Sequence, residues 1–335
     1  MRVSMTVPTD DLAIVRSVYP QLEEVGYERA FSFEAKHDPF VPLAVAAEHT
    51  SRIGLGTAVA IAFARTPMTL ANVAWDLQTV TEGRLTLGLG SQIRPHIEQR
   101  FSMPWSRPAQ RMREMVFAIR AIWDSWSTGS DLDFRGEFYT HTRMPPAFDP
   151  GPNPHGRPPI LIGGVGPAMT AVAGEVADGL LVHPVNTRRS LQEITLPALR
   201  EGASRAGRSV DDLELVCVTI IVTGADEAQF EASREAVRKQ LAFYGTTPAY
   251  QPVFRLHGYG DMYPELTHLA RQGRWDDMAG LVDDELIETI AVVGEPREVA
   301  SRLQERLEGI SDSVSLVNNR APDPEHFASV VELIT

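Results

Sequence analysis

Cysteine is almost missing from this chain: there is one, Cys217, inside the apolar run LELVCVTIIV. A single cysteine excludes an intrachain disulfide framework and a cysteine-rich metal site. Its apolar neighbours mark it as a small core residue rather than a nucleophile. Long apolar runs are also missing. No stretch approaches the roughly 18 consecutive apolar residues of a membrane span, and the N-terminal MRVSMTVPTDDL turns polar too early for a secretory signal. The expectation is a cytoplasmic protein with no membrane partner. Positive charge is in deficit, with 31 Lys and Arg against 44 Asp and Glu and a net charge of −13. Such a surface repels phosphate backbones, so no nucleic acid is expected as a partner. Metal-binding motifs are lacking too. His37-Asp38 and Glu48-His49 are adjacent pairs, without the spacing that points two ligands from one helix face, and no metal is expected. Ser91 in GLGSQI lies outside a G-x-S-x-G motif, which gives no support to a hydrolase nucleophile.

What is present is alternation. Eight short β-rich runs, at 2–7, 29–34, 52–60, 84–90, 159–164, 179–183, 213–222 and 312–318, are separated by longer helical patterns. The first of these patterns places Leu12, Val15, Tyr19 and Leu22 on one helical face. Prolines mark three helix starts, at Thr66-Pro67, Gly166-Pro167 and Glu295-Pro296, where a missing N–H costs nothing. Eight βα alternations predict a parallel sheet closed into a (β/α)₈ TIM barrel, with a doubly wound open sheet as the alternative. Three segments break the repeat and read as insertions in a single domain over 1–335: about 91–107, 130–157 and 245–290. Those after strand 4 and between strands 7 and 8 are placed to cover the barrel mouth.

Glycines gather at strand ends: GLGT (54–57), GLGS (88–91) and IGGVGP (162–167). Glycine permits positive φ and close approach to the backbone. Gly163, Gly164 and Gly166 lead into a helix starting near Pro167, whose first N–H groups are free and whose dipole is positive there. The loop is therefore a candidate phosphate nest. A purely structural turn is the other reading. Met169 stands where a dinucleotide fingerprint needs its last glycine, and no P-loop lysine follows. Three glycine-ended strands on one face suggest a flat ligand lying against backbone.

GGVGPAMTAVAGEVADGLLVHP, GLGTAVAIAFARTPMTLA, TVTEGRLTLGLGSQ and VVGEPREVASRL together resemble the luciferase-like oxidoreductases, and within them the branch that uses the deazaflavin coenzyme F420. The resemblance covers nearly the whole chain. It implies a bacterial luciferase-like (β/α)₈ barrel with insertions, whose cofactor ring lies at the C-terminal mouth. It puts the phosphate on Gly163, Gly164, Val165, Gly166 and Pro167, and the ring against Gly56, Thr57, Ala58 and Val59. It also implies a non-proline cis peptide at Ala58–Val59 and a homodimer. The implied activity is hydride transfer between F420 and a small organic substrate. The alternatives are a reduced-FMN monooxygenase and a non-catalytic flavin-binding protein. One departure stands out: several deazaflavin relatives carry an Asp-His pair after strand 2, where this chain has Glu34 and Ala35.

Hydride chemistry needs an acid or base near the operating pH. Glu34, at the end of strand 2, is the first candidate. His96 after strand 4 and His183 after strand 6 are further catalytic candidates. Arg65, Gln92 and Arg94 are candidates for substrate binding. Arg107, Arg111 and Arg113 form either a basic rim for an acidic cofactor tail or a solvated helix face.

Overall fold

The computed structural model describes residues 1–7, 11–311, 313–317 and 324–334. Eight strands lie where the apolar runs predict them: β1 Arg2–Val7, β2 Arg29–Ser32, β3 Gly54–Thr57, β4 Leu85–Gly90, β5 Ile160–Gly164, β6 Gly179–Val182, β7 Glu214–Val222 and β8 Ser313–Val317. Asp312 and Asn318, the ends of the run expected as strand 8, lie outside the described residues. Each strand pairs in parallel with the next, and β8 pairs with β1 in the register Arg2↔Ser313. The sheet is closed, so the fold is the (β/α)₈ barrel and not the open sheet.

Alternation along the strands sorts side chains into two packed regions. Val3 and Met5, Leu85, Leu87 and Leu89, Ile160 and Ile162, and Val314 and Leu316 join the large core shared with the surrounding helices. Phe31, Leu161, Leu181 and Val216 fill the barrel lumen, with Ala58 and Val59 packed on that layer. At the strand starts, Arg29 and Glu214 form an ion pair at 3.2 Å.

Three proline-marked helices start as the sequence predicts. They are α3 Pro67–Val80, α5 Pro167–Val176 and α8 Pro296–Leu307, among α1 Val15–Val25, α2 Phe40–Ala47, α4 Pro108–Thr128, α6 Leu196–Arg205 and α7 Glu227–Tyr244. On α1, Val15, Val18, Tyr19 and Leu22 are buried. The Thr66 hydroxyl accepts the Thr69 N–H at 3.2 Å and caps α3.

The irregular segments have distinct tasks. Residues 91–107 include a π-helical turn, His96–Arg100, and bring Trp105 edge-on to Phe63, 5.9 Å between ring centroids. Residues 130–157 lead from α4 into β5. They hold a short antiparallel pair, Phe134–Arg135 with Thr140–His141. The Glu114 carboxylate accepts the N–H groups of Glu137, Phe138 and Tyr139 at 2.9, 2.7 and 2.7 Å. A Cβ on Gly136 would lie 2.0 Å from that carboxylate, so the loop needs glycine there.

Between β7 and β8 the second core begins earlier than residue 245. Val237 and Leu241 of α7 pack with Phe254, Leu266, Leu286 and Ile287, and with Val185, Ile220 and Val222 at the barrel mouth. The chain returns to the sheet at Val292–Val293, paired with Ile221–Val222, and α8 then makes the crossover to β8. The helix α7 joins the insertion because its apolar face packs with residues 251–290 and the end of β7 in one cluster, separate from the large core.

Candidate functional site

The mouth is organised by a break in β3. Pairing with β4 ends at Gly56↔Thr86 and resumes at Ala60↔Leu89. Between them, the Thr57 hydroxyl replaces the missing ladder bonds: it donates to the Gly88 carbonyl at 2.7 Å and accepts the Gly88 N–H at 2.9 Å. The Ala58–Val59 peptide is cis, at the position the resemblance implied. The strand-2 loop holds this step from the other side: Ala58 N–H donates to Ser32 O at 2.7 Å, and Glu34 N–H donates to Val59 O at 3.2 Å.

This geometry explains the strand-end glycines, and differently from the sequence reading. A Cβ on Gly88 would lie 1.8 Å from the Thr57 carbonyl oxygen. One on Gly90 would lie 2.4 Å, and one on Gly163 2.8 Å, from the methyl groups of Val59. The Val59 side chain occupies the room that Gly90 and Gly163 leave, and the Thr57 carbonyl the room beside Gly88, so these bare strand positions are filled by the protein's own β3 bulge. Gly56 has its own crowding, since a Cβ there would meet Phe31 and Thr86 O at 2.9 Å. The Ala58–Val59 step itself is half-buried at the mouth.

The loop from β5 into α5 also corrects the sequence reading in one respect. None of Gly163, Gly164 and Gly166 has positive φ. Gly166 is the extended N-cap residue, at φ −84° and ψ 154°, and a Cβ on it would meet nothing within 4 Å. The first helical bond of α5 is Thr170 N–H to Gly166 O at 3.1 Å. The N–H groups of Ala168 and Met169 precede it and lie at the positive end of the helix dipole. Space and orphan donors therefore coincide at Gly166–Pro167.

Glu34 and Arg65 are brought together. Arg65 donates to Glu34 Oε2 at 2.6 Å, to Asp38 Oδ2 at 2.7 Å and to Ile61 O at 3.2 Å, and its guanidinium lies over the Phe40 ring. Glu34 Oε2 also accepts the Ile61 N–H at 2.8 Å. These contacts tie the segment after the cis peptide to β2. Arg65 is engaged by the protein's own carboxylates, which changes its expected place as an anion contact for substrate. Glu34 Oε1 makes no hydrogen bond among the described residues and is not sealed from solvent.

His183 follows β6 and is packed by the insertion. Its ring stacks on Tyr250 at 4.1 Å and 25° and meets the edge of Tyr244 at 4.9 Å. Nδ1 accepts the Val185 N–H at 3.2 Å. Burial pushes the pKa of the ring down to about 3, so His183 is neutral at physiological pH.

The other candidates stand apart from this group. Gln92 has φ 58° and its Oε1 accepts the Ile93 N–H, turning it onto its own backbone. Arg94 pairs with Glu98 at 2.9 Å on the surface, and His96 is exposed on the π turn. Neither touches Glu34, Arg65 or His183. The three arginines form no free basic rim: Arg107 and Arg113 are exposed, as a solvated face requires, but each is paired with a carboxylate, and Arg111 is buried. Arg111 is buried over Phe63 and donates to Tyr139 Oη at 2.8 Å, Arg107 pairs with Glu137, and Arg113 pairs with Glu175 at 2.7 Å. Cys217 is fully buried and its thiol is pushed up to about 12 by burial, which fits a core residue. Among the described residues, no three His, Cys, Asp or Glu side chains are grouped to hold a metal, and no helix is long and apolar enough to cross a membrane.

Sequence reasoning missed Arg100, Tyr244 and Tyr250. Arg100 donates to the Ala35 carbonyl at 2.5 Å and fastens the 91–107 segment to the strand-2 loop. The tyrosines lie in or beside an aperiodic insertion, and only the folded chain shows which residue they meet.

Comparisons place this geometry among known proteins. The chain is 51% identical over 314 residues to an uncharacterised protein of Mycobacterium tuberculosis, covering 94% of this chain and 92% of the other. It is 30% identical over 296 residues to a second M. tuberculosis protein, assigned by name alone as a coenzyme F420-dependent oxidoreductase, covering 84% of each. The F420-dependent tetrahydromethanopterin reductase of Methanopyrus kandleri shares the fold with a TM-score of 0.81, covering 99% of this chain and 96% of that one at 22% identity. The profile of the luciferase-like monooxygenases matches residues 2–313. With a closed parallel barrel and a match over nearly its whole length, the chain belongs to the luciferase-like monooxygenase family.

Proposed function

We propose that the protein is an oxidoreductase that transfers a hydride between the deazaflavin coenzyme F420 and a small organic substrate. Membership of a family of oxidoreductases and monooxygenases supports an enzyme, and the 30% identical relative supports this cofactor. The observation that carries the reading is the Ala58–Val59 step, turned out of the β3 ladder and laid across Gly90 and Gly163 as a platform without bulky side chains.

The residues present fit a tricyclic ring with a phosphate-bearing tail. Ala58 and Val59 would support the ring, with Gly56 and Thr57 fixing the strand beneath. Gly163 leaves room for Val59. Gly164, Val165, Gly166 and Pro167, with the N–H groups of Ala168 and Met169, would hold the phosphate. Bound there, the coenzyme supplies a two-electron hydride carrier. The protein's own work is to orient and to handle the proton. Glu34 positions the platform through Ile61 and Arg65, and its Oε1, which makes no hydrogen bond among the described residues, would be the group to take or give the proton.

A second reading, a reduced-FMN monooxygenase, draws on the family profile. Supplying purified protein with reduced F420 and with reduced FMN in separate reactions distinguishes them. The proposal expects substrate-dependent reoxidation of F420 without oxygen uptake. Tight binding of FMN alone, with oxygen consumed on turnover, would overturn it.

A further inference from the structure

One side chain at the mouth is built as a hydrogen-bond donor and has no protein acceptor among the described residues. His183 Nδ1 accepts the Val185 N–H at 3.2 Å, so in the neutral ring the proton is on Nε2. The His183 carbonyl accepts the Asn186 side-chain N–H at 2.8 Å, and the same amide donates to Val218 O at 2.8 Å, which locks the turn. Tyr250 covers one face of the ring and Tyr244 meets it edge-on, with Tyr244 itself held by Gln240 Nε2 at 2.9 Å. Backbone, orientation and tautomer are therefore all fixed, from β6 on one side and from the insertion on the other. Yet Nε2 makes no hydrogen bond among the described residues, and it is not among the sealed, unpartnered polar atoms. His183 lies one residue past β6, at the C-terminal end of the barrel strands.

We infer that His183 Nε2–H is a ligand-recognition group that donates to an uncharged oxygen acceptor, a carbonyl or hydroxyl oxygen, of a molecule seated in the barrel mouth, with Tyr250 fixing the direction of the bond. The inference deepens the cofactor reading and rests on it in taking the mouth as the ligand site. The acceptor is uncharged for an electrostatic reason. Burial alone accounts for the lowered pKa of His183, and no charged side chain contributes. The ring is packed by Tyr244 and Tyr250 and shares a small cavity with Gly164, Val165, Asn186 and Thr195, none of which carries a charged side chain, so a carboxylate or phosphate set against Nε2 would be desolvated without a side-chain counter-charge. Two sources offer the required oxygen: a ring carbonyl of the cofactor, and the substrate.

The test is long-range proton–nitrogen NMR on the full chain labelled with ¹⁵N-histidine, with His183 assigned from the His183→Phe spectrum. The expected ring is neutral with the proton on Nε2 at pH 7. FMN, oxidised F420 and cyclohexanone are then titrated separately, with benzoate as the charged control. A shift of Nε2 with a tricycle alone identifies the cofactor carbonyl as the acceptor. A shift with cyclohexanone alone identifies the substrate oxygen. In either case His183→Phe, which keeps an aromatic face on Tyr250, weakens that ligand about tenfold, and Tyr250→Phe leaves its affinity unchanged. A charged or Nδ1-protonated ring, tighter binding of benzoate through His183, or no Nε2 shift with any of these ligands would overturn the inference. The cyclohexanone arm needs no cofactor, so it reads His183 even if F420 binding fails.

Discussion

Val59 and Gly90 offer a direct perturbation of the mouth. In Gly90→Ala the new methyl carbon falls 2.4 Å from Val59 Cγ2, about an ångström inside ordinary contact. The clash is with a side chain, so Val59 must rotate or the bulge must shift. Overpacking of this kind costs about 1–3 kcal/mol, offset by about 0.4–1 kcal/mol from the stiffer unfolded chain. The net expectation is a loss of roughly 1–2 kcal/mol. Val59→Ala removes two half-buried methyl groups and costs about 1 kcal/mol. In the double variant the 2.4 Å clash is gone and the nearest remaining atom is the Cβ at 59, 3.2 Å away, so the two losses do not add. The expected coupling is about 1–2 kcal/mol in favour of the double variant. Urea unfolding of the four proteins by circular dichroism measures it, together with FMN or F420 affinity, which should fall in each single variant. Losses that add to within about 0.5 kcal/mol would show that Val59 does not lie across Gly90 and would refute this account of the strand-end glycines.

Gly166 is the contrasting position: with nothing within 4 Å of its Cβ, Gly166→Ala should change the unfolding midpoint little, whereas Gly166→Asp should weaken cofactor binding at least tenfold, as read by fluorescence titration. Glu34→Ala should speed hydrogen exchange at the Ile61 amide and lower stability by about 1–3 kcal/mol, because it strips a charge partner from Arg65 and the acceptor from that amide; unchanged Ile61 protection would remove the bracing role. For His183 the folded pKa lies below the ordinary value near 6.5, so the unfolded chain binds the extra proton first. Its contribution is present above pH 6.5 and is lost as pH falls toward about 3, with a slope of up to roughly 1.4 kcal/mol per pH unit. His183→Phe should therefore lose less stability than the parent between pH 7 and pH 5, measured as unfolding midpoints.

Local chemistry made the barrel legible. Each strand is a short apolar run ended by glycine, proline or polar residues, and Pro67, Pro167 and Pro296 mark helix starts that depend only on neighbouring residues. The mouth was legible in its place and not in its contacts. Gly90 and Gly163 are bare because of Val59, which is remote from both in sequence, and nothing local distinguishes a glycine that receives a side chain from one that receives a ligand. Arg111 sits in a helical pattern that reads as surface, and it is buried because Phe63 and Tyr139 close over it. His183 was visible as a strand-end residue, but its fixed tautomer depends on Val185 and its packing on Tyr244 and Tyr250, brought in by an insertion without periodic pattern.

Difference density from a crystal of this protein soaked with oxidised F420 tests the central claim most directly. The account predicts a tricyclic ring on the Ala58–Val59 step with its phosphate at the N-terminus of α5 beside Gly166. A ring bound away from that step, or a phosphate held elsewhere than the β5–α5 loop, would contradict it.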